Sequence, residues 1–392
     1  RRIGKLLRQL CKNVTKHRRR NLTTTTAAMR KFGQTYGVHA DLKDMETERI
    51  VTVAQLSAFD DIIDVRSPSE FALDHIPGAI NLPVLSDEER AEIGTRYKQE
   101  SSFAAKRLGA ALVSRNIALH LENTLHDKPR HWSPLVYCWR GGKRSGAMTH
   151  ILQQVGWRAV RLDGGYRAYR RKVVEDLERL PSQFSFKVIC GRTGSGKSAL
   201  LSELALLGEQ VLDLEGLARH RGSVLGALAD PQPAQKMFES QIWQALNAFD
   251  PQRPVYVEAE SQKIGDLRVP AELLGAIRAA TCIRIEASVD ARARFLQTDY
   301  AHFVENPQAL FEKLDLLAPL FGAKKIDTWR ATAAEGDWTK LVARLLDEHY
   351  DPAYLRSSQK NFQHFDTAKV VHLETVSKSA LAAAAQYIKS DG

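Results

Sequence analysis

The chain has 392 residues, of which 44% are apolar and 26% are charged, a composition typical of a folded protein with room for two domains. Its apolar runs fall short of the roughly 20 residues that a membrane helix needs, so a soluble protein is expected. The formal net charge of +10 arises in the first 40 residues, which hold eleven Lys or Arg and no acid. Because the rest of the chain is close to neutral, the overall charge is no argument for nucleic-acid binding.

The basic segment 1–40 is predicted to lie outside the folded domains. Its stretch 1–28 lacks the apolar core, roughly 7–15 residues long, of a secretory signal. It fits translated sequence upstream of a start at Met29 better than it fits a transit peptide. The four cysteines form no CxxC pair, which argues against a disulfide framework or a zinc site and favours a reducing compartment. We therefore expect a cytoplasmic protein without a membrane partner.

Residues 48–178 are predicted to form a first α/β domain. Short apolar strands alternate with helices in this part of the chain, and that order is typical of a doubly wound parallel sheet. The predicted elements are, in chain order, a strand beginning at Val51, a strand over 61–65, a helix beginning at Pro68, a strand over 135–137, a helix over 145–155 and a strand over 159–162. Gly156 is placed to end the second of these helices.

A second α/β domain is predicted over residues 184–355, after a junction at 181–183. Four apolar runs separated by helical stretches indicate another parallel sheet, and the part from 307 to 350 is predicted to be mostly helical. The predicted strands are 186–190, 211–215, 255–258 and 282–286. Residues 356–392 are assigned to a C-terminal extension.

The most distinctive local chemistry is a cysteine at the end of a predicted strand. Cys138 precedes a Gly-rich basic loop and a helix, where backbone N–H groups and the helix dipole lower the pKa of a thiol and favour the nucleophilic thiolate. Two glycines let the loop curl around an anion, and three cations add charge for an oxyanion substrate; a buried structural cysteine is the alternative. The loop residues are Arg140, Gly141, Gly142, Lys143, Arg144 and Ser145.

Motifs around this loop resemble the rhodanese domain in content and order. They are Asp64-Val-Arg-Ser-Pro68, Glu70-Phe71, His75-Ile-Pro-Gly-Ala79, Asn81-Leu-Pro83 and Asp163-Gly-Gly165. The resemblance implies a rhodanese-like doubly wound parallel sheet in which Cys138 carries a persulfide or its selenium counterpart. Arg144 lies six residues after the cysteine, a spacing also found in the rhodanese-related cell-cycle phosphatases, whereas many single-domain rhodaneses have five. The longer loop favours a substrate with a tetrahedral, phosphate-like group.

A phosphate-binding loop opens the second domain. Gly191-Arg-Thr-Gly-Ser-Gly-Lys-Ser198 matches the Walker A pattern and stands between a predicted strand and a helical run, the context that supports such a match. The expected fold class is thus α/β, with a P-loop NTPase-like α/β domain and a helical C-terminal region after the first sheet. The residues predicted to hold a diphosphate are Gly191, Gly194, Gly196, Lys197 and Ser198. Ser198 is placed to bind Mg²⁺, and Asp213 and Glu258, which end apolar strands, are candidate metal carboxylates or strand-end caps.

A basic stretch follows the cysteine loop. Residues 140–172 contain nine Lys or Arg, one acid and three aromatic residues. Cations that hold phosphates, interleaved with rings that stack unpaired bases, suit recognition of a flexible RNA loop; a solvated basic face with core aromatics is the alternative. The residues selected for RNA contact are Arg158, Arg161, Tyr166, Arg167, Arg170 and Arg171.

The fusion of these two domains resembles the tRNA 2-selenouridine synthase family over residues 45–360. The blocks that carry the resemblance are Cys138-Trp-Arg-Gly-Gly-Lys-Arg-Ser145, Asp213-Leu-Glu-Gly-Leu-Ala-Arg-His-Arg-Gly-Ser223, Val257-Glu-Ala-Glu-Ser261 and the late Tyr350-Asp-Pro352. Many members have Glu-Asp-Glu-Ser where this chain has Glu258-Ala-Glu-Ser261, so one acid of a candidate metal segment is missing.

The resemblance implies a reaction on 2-thiouridine at the wobble position of tRNA. Geranyl diphosphate first alkylates the sulfur, and selenophosphate then supplies selenium; both are substrates rather than tightly bound cofactors. The P-loop is the expected cradle for geranyl diphosphate, and the Cys138 loop for selenophosphate, with Cys138 as nucleophile or as the carrier of selenium. A selenophosphate-producing enzyme is a candidate partner and a monomer the candidate oligomeric state. The alternatives are a C-x5-R phosphatase or another rhodanese-type sulfurtransferase with a nucleotide-binding module, and a scaffold protein with an inert rhodanese-like fold.

Overall fold

The structure is a computed structural model that describes residues 50–390 apart from 224–225, 229, 302 and 304–305. The predictions for the basic segment 1–40 and for a start at Met29 lie outside the described residues. Within them, none of the helices combines the length and the apolar character that crossing a membrane requires.

The first sheet, within residues 50–162, consists of five parallel strands in the order β1-β5-β4-β2-β3. The strands are Ile50–Val51 (β1), Asp61–Asp64 (β2), Ile80–Asn81 (β3), Pro134–Tyr137 (β4) and Val160–Leu162 (β5). All four residues of the central strand β4 are buried, because helices cover both faces of such a sheet. The predicted parallel sheet is confirmed, and the strand that leads into Cys138 lies in its middle.

Helices of the first domain pack around this sheet. They are α1 (Pro68–Leu73), α2 (Asp87–Gln99), α3 (Ser102–Asn123), α4 (Lys143–Val155) and α5 (Gly165–Arg179). At the start of α1 the Glu70 carboxylate accepts a hydrogen bond from the Ser67 backbone N–H at 3.2 Å. This N–H group precedes the helix and has no carbonyl partner within it, so the Glu70 side chain supplies the acceptor. Helix α4 begins two residues before its predicted start and ends, as predicted, at Gly156, whose backbone is left-handed.

The second sheet, within residues 186–373, is also fully parallel, in the order β12-β11-β6-β8-β7. Its strands are Phe186–Gly191 (β6), Gln210–Leu212 (β7), Val255–Glu258 (β8), Thr281–Ala287 (β11) and Lys369–Leu373 (β12). Strand β6 is central, so the loop that follows it lies between the carboxyl ends of β8 and β11. Ligands of open parallel sheets bind at this edge.

Helices surround the second sheet and then form a separate helical region. The elements around the sheet are α6 (Lys197–Leu206), α7 (Leu214–Ala218), α8 (Gln235–Ala248), the strand pair β9 (Lys263–Ile264) and β10 (Leu267–Arg268), α9 (Ala271–Ala279) and α10 (Val289–Asp299). The helical region comprises α11 (Pro307–Asp315), α12 (Ala318–Phe321), α13 (Ala323–Ala334), α14 (Trp338–Leu345), a π-helical turn (Leu346–Tyr350) and α15 (Asp351–Asn361). This region has its own apolar core around Trp329 and Leu341, and its predicted helical character is confirmed.

The C-terminal segment, predicted as an extension over 356–392, contributes to the second sheet. Its strand β12 pairs in parallel with β11, and its helix α16 (Lys378–Ser390) packs on α6. The buried face of α16 is formed by residues spaced three or four apart, as an amphipathic helix requires: Leu381, Ala384, Ala385 and Ile388. The structure therefore places this segment within the second α/β domain.

The two domains share one continuous apolar core. The ring of Tyr169 on α5 meets the indole of Trp243 on α8 edge to face, with 5.6 Å between centroids. The Trp243 indole N–H also donates to the buried carboxylate of Asp176 at 2.8 Å. Helices α5 and α8 thus join the two sheets into one compact body.

Candidate functional site

Cys138 lies in the loop between β4 and α4. Its side chain is 4% exposed. Ser145, in the first turn of α4, donates its hydroxyl to the Cys138 sulfur at 3.2 Å and is itself fully buried. The thiol therefore lies at the amino end of a helix, where unpaired N–H groups and the helix dipole favour an anion.

Opposing effects act on the pKa of Cys138. Burial raises the pKa, because a thiolate loses solvation. Hydrogen bonds from the Ser145 hydroxyl and from the backbone N–H groups of Ser145, Gly142 and Arg140 act in the other direction and leave the pKa below its usual value. Since the thiolate is the attacking form, the loop increases the fraction of reactive sulfur at neutral pH.

We expect Ser145→Ala to raise the pKa of Cys138 by about one unit, because a hydrogen bond to a charged group contributes roughly 1.5–3 kcal/mol and the backbone donors remain. The rate of alkylation by iodoacetamide across a pH series reports the thiolate fraction, so the profile of the variant should move to higher pH. Thr149→Ala removes another buried hydroxyl of α4, one that has no hydrogen-bond partner within the described part of the chain, and should leave the profile unchanged. Coincident profiles for Ser145→Ala and the wild type would contradict this account of the thiol.

A glycine turn after β5 supports the cysteine loop. The backbone N–H of Tyr166 donates to the carbonyl oxygen of Cys138 at 2.8 Å, and that of Arg167 donates to the carbonyl oxygen of Trp139 at 3.1 Å. This approach leaves no room for a side chain at Gly165, where an added Cβ would overlap the Cys138 carbonyl oxygen. Gly165, the last residue of the Asp163-Gly-Gly165 motif, is therefore a steric requirement of the cysteine loop.

We expect Gly165→Ala to destabilise the protein by about 1–3 kcal/mol and to slow Cys138 alkylation, because the loop must move away from the added methyl group. Gly156→Ala is the matched control. Gly156 also has a positive φ, +106° against +57° at Gly165, but nothing lies within 4 Å of its added Cβ. The control should lower the melting temperature without changing the alkylation rate. A wild-type alkylation rate in Gly165→Ala would show that the loop does not depend on this contact.

The loop cations differ in their surroundings. Arg140 and Lys143 are exposed at the mouth of the loop. Arg144 instead donates to the Glu70 carboxylate at 2.9 Å. Burial would raise the pKa of Glu70, but the hydrogen bond and charge of Arg144 hold it below its usual value. The structure thus places Arg144 against α1, where it is paired with Glu70.

A buried polar network that the sequence did not reveal lies beneath the loop. Arg66 forms a two-pronged ion pair with Asp64, donates to the Asp74 carbonyl oxygen at 2.6 Å and lies 4.0 Å above the ring of Tyr166. The Asp74 carboxylate accepts hydrogen bonds from the hydroxyls of Tyr166 and of Ser240 on α8, both at 2.8 Å. The cysteine loop is thereby connected to a helix of the second domain.

The residues selected for RNA contact have different environments. Two of them are exposed on α5: Arg167 and Arg171. Arg158 is also exposed, but it precedes β5 at the opposite edge of the sheet from the cysteine loop, where its backbone N–H donates to the Trp132 carbonyl oxygen at 3.2 Å. Arg161 is half-buried. The structure places Tyr166 and Arg170 at the junction of the domains instead, where Tyr166 is buried and Arg170 pairs with Glu239. Trp139, which is not among the residues predicted to contact RNA, has an exposed ring next to Cys138.

The P-loop connects Gly191 at the end of β6 to Lys197 at the start of α6. Gly194 and Gly196 have φ angles of +81° and +77°, which only glycine adopts without strain. A Cβ on Gly194 would lie 2.8 Å from the Leu296 side chain, so glycine also allows α10 to pack directly on the loop. The loop is therefore shaped both by its backbone and by the helix behind it.

A buried ion pair holds the P-loop against the helical region. Arg292 on α10 donates to the two carboxylate oxygens of Asp351 at 2.8 and 2.7 Å and to the carbonyl oxygen of Thr193 at 3.1 Å. Tyr354, one turn after Asp351, accepts a hydrogen bond from the Gly191 N–H at 2.6 Å. Asp351, the acid of the Tyr350-Asp-Pro352 block, thus anchors the P-loop through Arg292.

Carboxylates gather beside the P-loop. Oxygens of Glu215, Glu258 and Glu260 lie within 4.8 Å of one another. The Ser198 hydroxyl donates to Glu215 at 3.2 Å, and one oxygen of Glu258 is buried with no hydrogen-bond partner among the described residues. Asp213 instead caps α7 by accepting a backbone N–H. The structure thus brings Glu258 to the loop, assigns Asp213 to a cap and adds two glutamates that the strand-end pattern missed.

This set of oxygens fits a hard divalent cation such as Mg²⁺. Burial, with repulsion between neighbouring carboxylates, raises the pKa of Glu258 and Glu260 and brings that of Glu215 to about 7. Burial lowers the pKa of Lys197, but the charges of the surrounding carboxylates outweigh it and raise the pKa above its usual value. Ser198, Glu215 and Glu258 are the residues that would hold a cation beside a bound diphosphate.

The P-loop and the carboxylates border a cavity of about 610 Å³. This volume is in the range of small-molecule sites, which span roughly 300–1,000 Å³. All the described residues that line it belong to the second domain, and the Cys138 loop lies elsewhere. The chain therefore has two separate candidate sites, one for a thiolate reaction and one for a phosphate ester.

Comparisons with known proteins match both domains. Residues 49–172 match the model of the rhodanese-like domain, and residues 184–315 match that of the tRNA 2-selenouridine synthase AAA domain. A protein from Hydrogenovibrio crunogenus named tRNA 2-selenouridine synthase is 33% identical over 332 residues, which cover 76% of this chain and 89% of that protein. The chain belongs to the tRNA 2-selenouridine synthase family.

Other relatives bear the same name. The protein from Marinobacter nauticus is 35% identical over 322 residues, covering 75% of this chain and 87% of its own length. The protein from Nitrosomonas europaea is 37% identical over 245 residues, covering 61% of this chain and 63% of its own length. The chain thus spans less than two thirds of that relative.

Proposed function

We propose that the chain converts wobble 2-thiouridine of tRNA into 2-selenouridine in two steps, geranylation at the P-loop and selenium exchange at the Cys138 loop. The observation that carries the proposal is the Cys138 thiol, whose pKa is lowered by the loop donors and which lies beside the exposed cations Arg140 and Lys143. The name of the relatives supports tRNA as the substrate.

In the first step the sulfur of 2-thiouridine attacks C1 of geranyl diphosphate. A carbon–sulfur bond forms, the carbon–oxygen bond breaks, the diphosphate leaves with the bonding electrons, and the base loses its N3 proton. Lys197 and the backbone N–H groups of the P-loop bind the diphosphate and stabilise its growing charge. Mg²⁺, held by Ser198, Glu215 and Glu258, would supply further charge neutralisation. The alkylated sulfur then leaves more easily in the second step.

In the second step selenophosphate delivers selenide. The Cys138 thiolate attacks phosphorus, the phosphorus–selenium bond breaks, and hydrogen selenide leaves while the sulfur carries the phosphoryl group. Water hydrolyses this phosphocysteine to phosphate and the free thiol. The selenide adds to C2 of the base and expels geranylthiolate. No atom changes its oxidation state in this sequence, whereas moving selenium onto the Cys138 sulfur would require an oxidant.

The exposed residues around the thiol support an approach of tRNA from this side. Arg167 and Arg171 on α5 present charge for phosphates, and Trp139 presents a ring on which an unpaired base can stack. We therefore propose that the wobble nucleotide enters beside Trp139. We also propose the cytoplasm as the compartment and a selenophosphate-producing enzyme as the supplier.

Mass spectrometry of tRNA nucleosides tests the proposed function. Expressed in a bacterial strain that lacks its own synthase, the chain should produce 2-selenouridine when selenium is supplied and S-geranyl-2-thiouridine when it is withheld. The empty vector provides the control. An unchanged 2-thiouridine profile would refute the function. Release of phosphate from aryl phosphates by the purified protein without tRNA, lost in Cys138→Ser, would favour the C-x5-R phosphatase instead.

A further inference from the structure

An apolar pocket adjoins the P-loop cavity on the side of the helical region. Its main lining residues are Leu296, Tyr300, Trp338, Leu341, Val342 and Tyr350. Three of these, together with Thr193 and Ser223, also line the P-loop cavity, so the two spaces share a wall. We propose that this pocket binds the hydrocarbon tail of a diphosphate ester whose phosphates lie on the P-loop. The inference rests on the proposed function of that loop.

The pocket begins beside the P-loop itself. Leu296 packs directly on the P-loop, since a Cβ on Gly194 would lie 2.8 Å from its side chain. The carbonyl oxygen of Thr193, in the same loop, is fixed by Arg292 from α10, the helix that carries Leu296. A diphosphate bound at the loop therefore has the start of the pocket within reach of its ester carbon.

The lining of the pocket is mainly apolar. Leucine, valine and aromatic side chains dominate it, with the stacked rings of Tyr300 and Phe303 at one end, 5.9 Å between centroids. A nucleobase has several polar edge atoms and binds where hydrogen-bond partners meet them, since leaving them unpaired costs about 1–3 kcal/mol each. A saturated or isoprenoid chain has no such requirement. The lining therefore favours a hydrocarbon over the base of a nucleotide.

The pocket is small. Its volume is about 70 Å³, less than the ~150 Å³ of an apolar cavity that holds benzene. A chain of several carbons therefore enters only when side chains of the lining move aside. Trp338 and Val342 are half-buried at the margin, so they are displaced more readily than Leu341, which is fully buried in the core of the helical region.

A series of diphosphates with growing tails tests the pocket. Inorganic diphosphate, dimethylallyl diphosphate, geranyl diphosphate and ADP are titrated into the whole protein by calorimetry with Mg²⁺ present. In the wild type we expect geranyl diphosphate to bind at least about tenfold more tightly than dimethylallyl diphosphate, because each buried methylene contributes favourably. Val342→Trp fills the pocket and should abolish this difference while leaving inorganic diphosphate binding unchanged.

Two further variants make the result independent of misfolding. Trp338→Ala enlarges the pocket and should shift the preference towards farnesyl diphosphate, a gain that an unfolded protein cannot show. Leu320→Trp places the same ring on α12 at a position that is 72% exposed and outside the pocket, and should bind like the wild type.

The outcomes separate the pocket from the proposed function. If the chain-length preference persists in Val342→Trp, the tail lies elsewhere and the inference is overturned although geranylation stands. Tighter binding of ADP than of geranyl diphosphate, lost in Val342→Trp, would show that a nucleobase occupies the pocket. A wild type that binds geranyl diphosphate with the expected preference but never geranylates tRNA would support the pocket and refute the proposed function.

Discussion

Replacing Cys138 by serine is expected to lower 2-selenouridine formation by at least about 10³-fold, while S-geranyl-2-thiouridine still forms and accumulates. The loop donors lower the pKa of the Cys138 thiol below its usual value, but a serine hydroxyl is far less acidic, and the same donors cannot make it an alkoxide at neutral pH. Serine has nearly the same size and can accept the hydrogen bond of Ser145, so the fold should be preserved. Quantitative mass spectrometry of tRNA nucleosides, with geranyl diphosphate and selenophosphate supplied to the purified protein, measures both products.

A matched control removes a different thiol. Cys282 is also buried, but it lies in β11 of the second sheet and contributes to neither the cysteine loop nor the P-loop cavity. Cys282→Ala should give wild-type amounts of both nucleosides. Selenium exchange by Cys138→Ser at the wild-type rate would show that selenophosphate is used without a nucleophilic cysteine and would remove the central residue of the proposed mechanism.

The two sites could be located from the sequence because each is a local motif. The cysteine loop and the P-loop both connect the end of a buried strand to the start of a helix, and the glycines and cations that shape them are consecutive in the chain. Alternating strand and helix patterns likewise predicted both parallel sheets. Such features depend on neighbours a few residues away, which the sequence displays directly.

Contacts between segments that are distant in the chain could not be predicted from the sequence. Arg144 could be recognised as a loop cation, but its partner Glu70 comes from α1, 74 positions earlier in the chain. The hydrogen bond between Asp74 and Ser240 joins two domains, and no spacing rule predicts it. The C-terminal segment was separated from the second domain because a five-residue edge strand leaves a weak pattern, and only its pairing with β11 reveals its place.

Among the candidate metal ligands, a difference of two positions in the chain decides which carboxylate lies beside the P-loop. A carboxylate at the end of a strand is expected at the ligand edge of the sheet, and this holds for Glu258, the last residue of β8. After β7, however, the chain turns at once into α7, so Asp213 becomes the helix cap and Glu215, two residues later, lies beside Ser198. Glu260 follows β8 by two residues in the same way. The sequence alone does not tell which acid after a strand end turns towards the loop.

The buried contact between α5 and α8 bears on the order of the two proposed reaction steps. Tyr166 donates its backbone N–H to the Cys138 carbonyl and its hydroxyl to Asp74, which in turn accepts from Ser240 on α8. These buried bonds, with the Tyr169–Trp243 contact, fix α5 on α8 and keep the thiol outside the P-loop cavity. If each domain performs one of the two proposed steps, the geranylated nucleotide has to move from the P-loop cavity to the Cys138 loop between them.

Replacing Lys197 by methionine is expected to lower geranyl transfer by roughly 10²–10³-fold, because the lysine charge stabilises the leaving diphosphate. Methionine keeps the length of the side chain, so the loop around Gly194 and Gly196 should retain its shape. Single-turnover geranylation of thiolated tRNA measures the effect, and Lys340→Met, which removes an exposed lysine of α14, should match the wild type.

The decisive measurement supplies tRNA that is already geranylated. Lys197→Met should convert it to the selenouridine form at the wild-type rate, because the Cys138 loop shares no residue with the P-loop cavity. A mixture of Lys197→Met and Cys138→Ser should then carry thiolated tRNA through both steps, each variant supplying the site that the other lacks. If Lys197→Met fails on geranylated tRNA, the P-loop serves the selenium step as well, and the assignment of one reaction to each domain is wrong.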